Sequence, residues 1–301
     1  MFATSSIQGR PKVHFIGIGG TGMVAGARLA VEAGWELRGS DGPLYPPASE
    51  MAAALGVPIA QSYAASNLDW GPDLVVIGNA LSRGNPEVEA VLERRLHYVS
   101  LPEWLKDAVL RARRPIVITG THGKTTTTAL TAFVLDAAGA APGYLIGGDV
   151  KDFPHSARLG APGAPFVIEG DEYDTAFFDK RAKFFHYLPE IAVVTSLEFD
   201  HGDIYPTIED IERAFRLMLR QIPASGHLLL CTDFPRAAAL REHAPCQVHT
   251  YGRGEDADYR IEITSNAATG TTYVLRYRGE SLGPCTITLA GEYNAVNAAA
   301  A

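Results

Sequence analysis

Cysteine is scarce in this chain of 301 residues. Cys231, Cys246 and Cys285 are odd in number and widely spaced, with no C-x-x-C pair. That argues against a disulfide framework and against zinc, and suits a reducing compartment with free thiols. No apolar run approaches the ~18 residues of a membrane span, and the opening MFATSSIQGR has no apolar segment of a signal peptide. Positive charge is in deficit, 26 Lys and Arg against 34 Asp and Glu, a net −8. An acidic balance disfavours nucleic acid and anionic membrane as partners. No His/Cys cluster of metal-ligand type occurs, and neither Ser156 nor Ser196 has an evident His–Asp setting for nucleophilic catalysis. What is left is a soluble, cytoplasmic protein, long enough for two cores.

Beyond a loose arm at residues 1–11, short apolar strands alternate with helical stretches. KVHFIGIGG, WELRGSD, PDLVVIGNA and HYVSL read as strands, with helices over about Thr21 to Ala33, PPASEMAAALG and NPEVEAVLERR. This alternation implies a parallel, doubly wound α/β sheet. The basic stretch LRARRP (Leu110–Pro115) marks a boundary, giving a Rossmann-like domain over residues 1–112 and a second domain over 113–301. PIVITG restarts the pattern. Its helix carries Leu130, Phe133, Val134 and Ala137 on one face, a core-facing stripe by spacing. APFVIEG, EIAVVTSL and GHLLLC are further strands. ADYRIEITS and TTYVLRYRG alternate as antiparallel flanking strands do, and GEYNAVNAAAA opens a helix. Trp35, Trp70 and Trp104 read as core or rim residues.

Two glycine loops carry the chemistry. Gly17, Gly19, Gly20, Thr21 and Gly22 fit G-x-G-x-x-G between a strand and a helix, a turn that lets a diphosphate approach a positive helix end. Asp41, at the end of the second strand, stands where a ribose-binding acid belongs. The motif alone does not separate NAD, and hence a dehydrogenase, from a UDP-sugar. The second loop, Gly120-Thr121-His122-Gly123-Lys124-Thr125, departs from Walker spacing: Ile118 stands where the leading glycine belongs, and Gly120 opens the turn instead. The parts a nucleotide needs are still there: inward backbone N–H groups, Lys124 for the β/γ-phosphates and Thr125 for Mg²⁺. IEGDEYD (Ile168–Asp174) and LEFDHGD (Leu197–Asp203) place carboxylates and His201 after buried strands, at the end of the sheet where ligands bind. Mg²⁺ with a triphosphate uses such hard oxygen ligands, few in number.

HFIGIGGTGM, GSD, GTHGKTTTT, EGDEYD, LEFDHGD, YGRGEDADYR and GEYNAVNAAAA, in this order and over nearly the whole chain, resemble the Mur ligase family of peptidoglycan synthesis. GxGGxGM and GTHGKTTT are similar to its UDP-N-acetylmuramate branch. DGPLYPPAS, IGNALSRGNPEVEAVL, SARLG and DEYDTAFFDKRAKFFHY resemble the recycling members, which join UDP-N-acetylmuramate to the murein tripeptide L-Ala-γ-D-Glu-meso-diaminopimelate.

The resemblance implies a P-loop ATPase-like central domain. Gly17, Gly19, Gly20, Thr21, Gly22 and Asp41 would hold the uridine nucleotide. Gly120, Thr121, His122, Gly123, Lys124, Thr125 and Thr126 would hold ATP. Asn294 and Asn297 would face adenine, although Tyr293 replaces the histidine that usually precedes them. Thr125, Glu169 and His201 would bind Mg²⁺, and catalysis would rest on Lys124, Glu169 and His201 through an acyl phosphate. Some branches carbamylate a lysine after the position of His201; here Lys183 is the last lysine. The family's third, C-terminal domain is missing from the pattern, so the 301 residues alone are expected to bind nucleotide with little turnover. The L-alanine-adding ligase and a non-catalytic nucleotide-binding fragment are the alternatives.

Overall fold

A computed structural model of the chain describes residues 9–301 other than 47, 149, 201 and 203. The expected arm lies mostly outside the described residues, as do His201 and Asp203.

The first sheet is built from β1 (Lys12–Ile16), β2 (Glu36–Ser40), β3 (Ile59–Ala60), β4 (Leu74–Ile77) and β5 (Tyr98–Ser100). Between and after them run α1 (Thr21–Glu32), α2 (Ala48–Ala53), α3 (Pro86–Glu93) and α4 (Leu101–Ala108). All pairings are parallel, in the order β3-β2-β1-β4-β5. LVVI of β4 is buried throughout, as a strand covered on both faces must be. Asn85 starts α3 by accepting from the amides of Glu87 and Val88, with Pro86 at the first helical position. The order reverses at β1, so a crevice opens beyond the carboxyl ends of β1 and β4.

The second sheet has ten strands. Its elements are β6 (Arg114–Thr119), α5 (Lys124–Ala137), β7 (Gly143–Leu145), β8 (Ala157–Arg158), β9 (Pro165–Gly170), a separate hairpin of β10 (Asp174–Ala176) and β11 (Asp179–Ala182), β12 (Ile191–Val194), α6 (Ile208–Leu219), β13 (His227–Cys231), α7 (Pro235–Ala239), β14 (Gln247–Gly252), β15 (Tyr259–Ala267), β16 (Gly270–Tyr277), β17 (Glu280–Ile287) and α8 (Glu292–Ala300). The order is β17-β16-β15-β14-β13-β12-β6-β9-β7-β8. It is parallel from β7 to β15, with β15–β17 antiparallel on the flank as their alternating sequences require.

The expected core stripe of α5 is a correction. Phe133 and Val134 are exposed, and the buried positions are Thr127, Thr128, Thr131 and Ala132. Thr128 and Thr131 bury their hydroxyls by donating them to the carbonyls of Lys124 and Thr127, each at 2.8 Å, which satisfies the polar group inside the helix itself. Threonine can therefore face the core here, and the bulkier residues face outward.

The two sheets are fastened to each other. The Leu159 amide donates to Glu32 of α1 at 2.7 Å. Arg113 donates to the carbonyls of Val109, Leu159 and Gly160 at 2.6–2.9 Å. The β10–β11 hairpin sets Phe177 and Phe178 against the Ile16–Val75–Ile77 cluster of the first sheet, with Phe178 edge-on to Tyr98 at 5.0 Å. A lone two-stranded hairpin is marginal in water, so this packing is what secures it.

Trp104 belongs to the core rather than the rim. It is 1% exposed, edge-on to Phe15 and Trp35, and its indole N–H is buried without an acceptor among the described residues. Trp104→Ala should lower the unfolding free energy by about 3–5 kcal/mol. Trp104→Phe should cost much less, because it also removes the unpartnered donor. Urea denaturation of both variants checks the pair of outcomes.

Candidate active site

β6 ends at Thr119 and the chain turns through Gly120 at φ +131°. A side chain there would run into Thr195 and Ser196 at the end of β12, so only glycine fits the turn. The loop is then tied to that strand end: the amides of Thr121 and His122 donate to Ser196 at 3.2 and 2.8 Å, and the Glu198 amide donates to the Thr121 hydroxyl at 2.9 Å. Gly123, at φ +83°, caps α5 without any side-chain cap, and no acid stands in the first turn. The start of α5 therefore has neither a side-chain cap nor a counter-charge in its first turn, the setting in which a helix end can receive an anion.

The next two residues take up the acids. Lys124 Nζ donates to the carbonyl of Gly120 at 2.7 Å and to Glu172 at 3.0 Å. Thr125 donates its hydroxyl between both oxygens of Glu169, at 3.0 and 3.1 Å, and the Gly147 amide donates to Glu169 at 3.0 Å. Burial pushes the Glu169 carboxyl above its ordinary range; the Thr125 hydroxyl, Lys124 and the Gly147 amide only partly offset this. A bound cation would restore the charged form. Among the described residues no three His, Cys, Asp or Glu side chains gather as a metal cage. Thr125 with Glu169 is instead a small, hard-oxygen set of the kind Mg²⁺ uses alongside phosphate. Glu172 went unassigned in the sequence, although it lies in the same acidic stretch.

Beside the loop lies a cleft of about 600 Å³. Asn297 lines it and blocks any side chain at Gly123, whose Cβ would lie 2.5 Å from Asn297 Oδ1. Asn294 is buried and donates to the Ala290 carbonyl at 2.8 Å. Residues without an expected role complete the rim: Phe234 and Tyr293 supply rings, and Arg253 pairs with Asp233 at 2.8 Å and with Glu292 at 2.9 Å. Arg253 lies in YGRGEDADYR, and Glu292 and Tyr293 in GEYNAVNAAAA, stretches singled out in the sequence without a role for these residues; for Asp233 and Phe234 the one signal is position, after β13 at the carboxyl edge.

The first glycine loop is held from behind. The amides of Gly17 and Ile18 donate to the Ser40 carbonyl, and that of Gly19 to Asp41 at 2.6 Å. The other oxygen of Asp41 accepts from Gly42 and from the Tyr63 hydroxyl, each at 2.7 Å. Asp41 is thus a fastener of the loop. The Ser40 hydroxyl donates to Glu87 at 2.5 Å, and Glu87, fully buried, also accepts from Asn67 and the Ala64 amide and lies 3.4 Å from His14. Burial alone would raise the Glu87 carboxyl, but the donors from His14, Ser40, Asn67 and Ala64 outweigh it and hold it below its ordinary range. α1 starts at Gly20 with no side-chain cap and no acid in its first turn. Its N-terminus and Glu169 line one cleft, of about 290 Å³, between the two sheets.

Residues 12–113 match the profile described as Mur ligase family, catalytic domain, and residues 118–301 that of the Mur ligase middle domain. The chain belongs to the Mur ligase family. It is 41% identical, over 286 residues, to the UDP-N-acetylmuramate–L-alanyl-γ-D-glutamyl-meso-2,6-diaminoheptandioate ligase of Haemophilus influenzae, covering 95% of the chain and 62% of that protein. It is 36% identical to a UDP-N-acetylmuramate–L-alanine ligase of Xanthomonas campestris pv. campestris, covering 98% and 60%. The chain therefore spans about three fifths of the length of the curated relatives it matches. Among solved structures it superposes on the UDP-N-acetylmuramate:L-alanyl-γ-D-glutamyl-meso-diaminopimelate ligase of Neisseria meningitides with a TM-score of 0.90 at 38% identity, covering 97% of the chain and 92% of that structure. For the UDP-N-acetylmuramate-alanine ligase of Thermotoga maritima the TM-score is 0.79 at 26% identity, covering 96% and 63%. No helix of the described residues is long and apolar enough to cross a membrane.

Gly123→Ala should weaken binding of an ATP analogue by about tenfold or more, since the loop must leave φ +83° or displace Asn297; calorimetric titration measures it. Glu87 has a depressed folded pKa, so its stabilisation is full above the unfolded value of about 4.3 and is lost as pH falls below it. Glu87→Gln should lower stability at pH 7 by about 1–3 kcal/mol and flatten the decline below about pH 4.3. Denaturation across pH 2.5–7 (approximate limits set by that window) tests the sign.

Proposed function

We propose that this sequence belongs to an ATP-dependent ligase that joins UDP-N-acetylmuramate to L-Ala-γ-D-Glu-meso-diaminopimelate, in peptidoglycan recycling. On this reading residues 1–112 hold the sugar nucleotide and residues 113–301 hold ATP. One observation carries it: Glu169 lines the cleft that begins at the uncapped N-terminus of α1, and the same carboxylate is hydrogen-bonded to Thr125 of the second loop. Two anion-binding helix ends thus open onto one acidic junction, where a carboxylate and a terminal phosphate would meet. The greater identity to the tripeptide ligases, 41% against 36%, favours the tripeptide over free L-alanine.

Lys124 would exchange its loop carbonyls and Glu172 for phosphate oxygens, neutralising charge as the phosphoryl group moves to the substrate carboxylate. Thr125 and Glu169 would hold Mg²⁺, with His201 assigned to the same role by resemblance. Mg²⁺ would supply further charge neutralisation on the triphosphate. The amine of the peptide would then displace phosphate from the acyl phosphate. Gly120 and Gly123 keep the backbone donors in place, and Asn297 closes the side of the cleft where the base would lie.

Lys124→Ala should weaken the affinity for a non-hydrolysable ATP analogue with Mg²⁺ by about ten- to a hundredfold, leaving affinity for UDP-N-acetylmuramate within about twofold, as independent sites require. Unchanged analogue binding would sink the ATP-site assignment. An enzyme with the length of its relatives should use the tripeptide in preference to free L-alanine, and the reverse preference would replace this reading by the L-alanine ligase.

A further inference from the structure

The cleft between the sheets contains one cation among the described residues that line it, Lys183. It stands where the β10–β11 hairpin returns to the second sheet. Its amide donates to the Tyr173 carbonyl at 3.0 Å, and the next amide, of Phe184, donates to the Asp171 carbonyl at 3.3 Å. The backbone is thereby fixed to the acidic stretch. Nζ donates to Asp171 Oδ2 at 2.6 Å and lies 5.8 Å from the centre of the Tyr173 ring. The two side chains keep 23% and 27% of their surface open. An ammonium has three donors, and among the described residues only Asp171 accepts from this one.

The surroundings say what the free donors would meet. One wall is the uncapped end of α1, at Gly20 and Thr21, and another is apolar, from Leu101 and Leu105. Glu169 and Asp171 bring two carboxyl groups to the remaining side. A substrate carboxylate entering between them is repelled unless a cation receives it. Lys124 is not among the residues that line this cleft, and the reading above assigns it to the phosphate. Lys183 is the cation left.

We infer that Lys183 is a specificity residue that receives the free carboxylate of the sugar nucleotide, so that the cleft distinguishes an acid-bearing N-acetylhexosamine nucleotide from the same nucleotide without the acid. The inference rests on the sugar-nucleotide reading above. It also places that carboxylate beside the Thr125–Glu169 pair, where the phosphoryl group would arrive.

The test compares UDP-N-acetylmuramate with UDP-N-acetylglucosamine, which lacks the acid, by calorimetry on the 301-residue chain. Lys183→Met should weaken binding of the first by about ten- to a hundredfold and leave the second within about twofold. Lys183→Arg should recover most of the loss. The double change Asp171→Asn with Lys183→Met removes both charges and should still lack the preference for the acid. Thermal melting of each variant near the wild-type midpoint shows that the fold persists. Equal weakening of both nucleotides, no weakening of either, or a preference restored by the double change would overturn the role of Lys183 while leaving the cleft assignment intact. Failure of the wild-type chain to bind UDP-N-acetylmuramate would overturn the cleft assignment, and this inference with it.

Discussion

The structure turns on two adjacent pairings at the start of α5. Lys124 and Thr125 are consecutive in sequence, and their partners Glu172 and Glu169 lie three residues apart in one stretch leaving β9. Lys124 and Glu172 are only 14% and 4% exposed. At that depth desolvation offsets much of the Coulomb gain, while removal of one partner strands a buried charge. The pairing therefore does little for net stability but fixes an arrangement: the loop from Gly120 to Thr125 and the acidic stretch cannot shift independently. Gly120 locks the same loop from the other side against Thr195 and Ser196. Three strand ends, those of β6, β9 and β12, are thus held in one register around a concave, donor-lined turn.

The second constraint is how the two sheets meet. Their cleft has a defined shape because Glu32 reaches Leu159, Arg113 spans the carbonyls of Val109, Leu159 and Gly160, and the Phe177–Phe178 hairpin lies on the first sheet. None of these residues carries chemistry. They set the relative position of α1's free end and Glu169, and that spacing is what a ligand bridging both would sense. Interfaces within a chain are often loose enough for domain motion; here aromatic packing is added to hydrogen bonds at several separate points.

Much of this was legible in the sequence, for identifiable reasons. Strand–glycine–helix junctions announce tight turns because few other residues accept the conformation, and acids after buried strands must lie at the carboxyl edge of a parallel sheet. Other features depend on distant partners. NPEVEAVLERR reads as an ordinary amphipathic helix, yet Glu87 is fully buried because Ser40, Asn67 and His14 come from elsewhere to meet it. The hairpin strands of three and four residues show no usable alternation and owe their place to the first sheet. The outward-facing Phe133 and Val134 defeat periodicity, since back-bonded threonines took the buried side. The pairing of Arg253 becomes visible only when β13 and β14 put Asp233 beside it.

The same uncapped glycine start of a helix is built twice, and the two copies differ in what stands behind them. Both α1 and α5 begin at glycine, without a side-chain cap and without an acid in the first turn. At α1 the loop is braced by Asp41, whose two oxygens already hold Gly19, Gly42 and Tyr63, and behind it by buried Glu87 through Ser40. That bracing consists of fixed charges and short bonds, and on the proposed reading it suits a diphosphate that is held and left unchanged. At α5 the bracing includes a lysine bonded to carbonyls of its own loop and to a carboxylate, a set of contacts that phosphate oxygens can replace. A site whose cation can change partners is suited to a phosphate whose charge is redistributed during reaction. On the proposed reading, the division between holding and transferring follows from what each helix start has within reach.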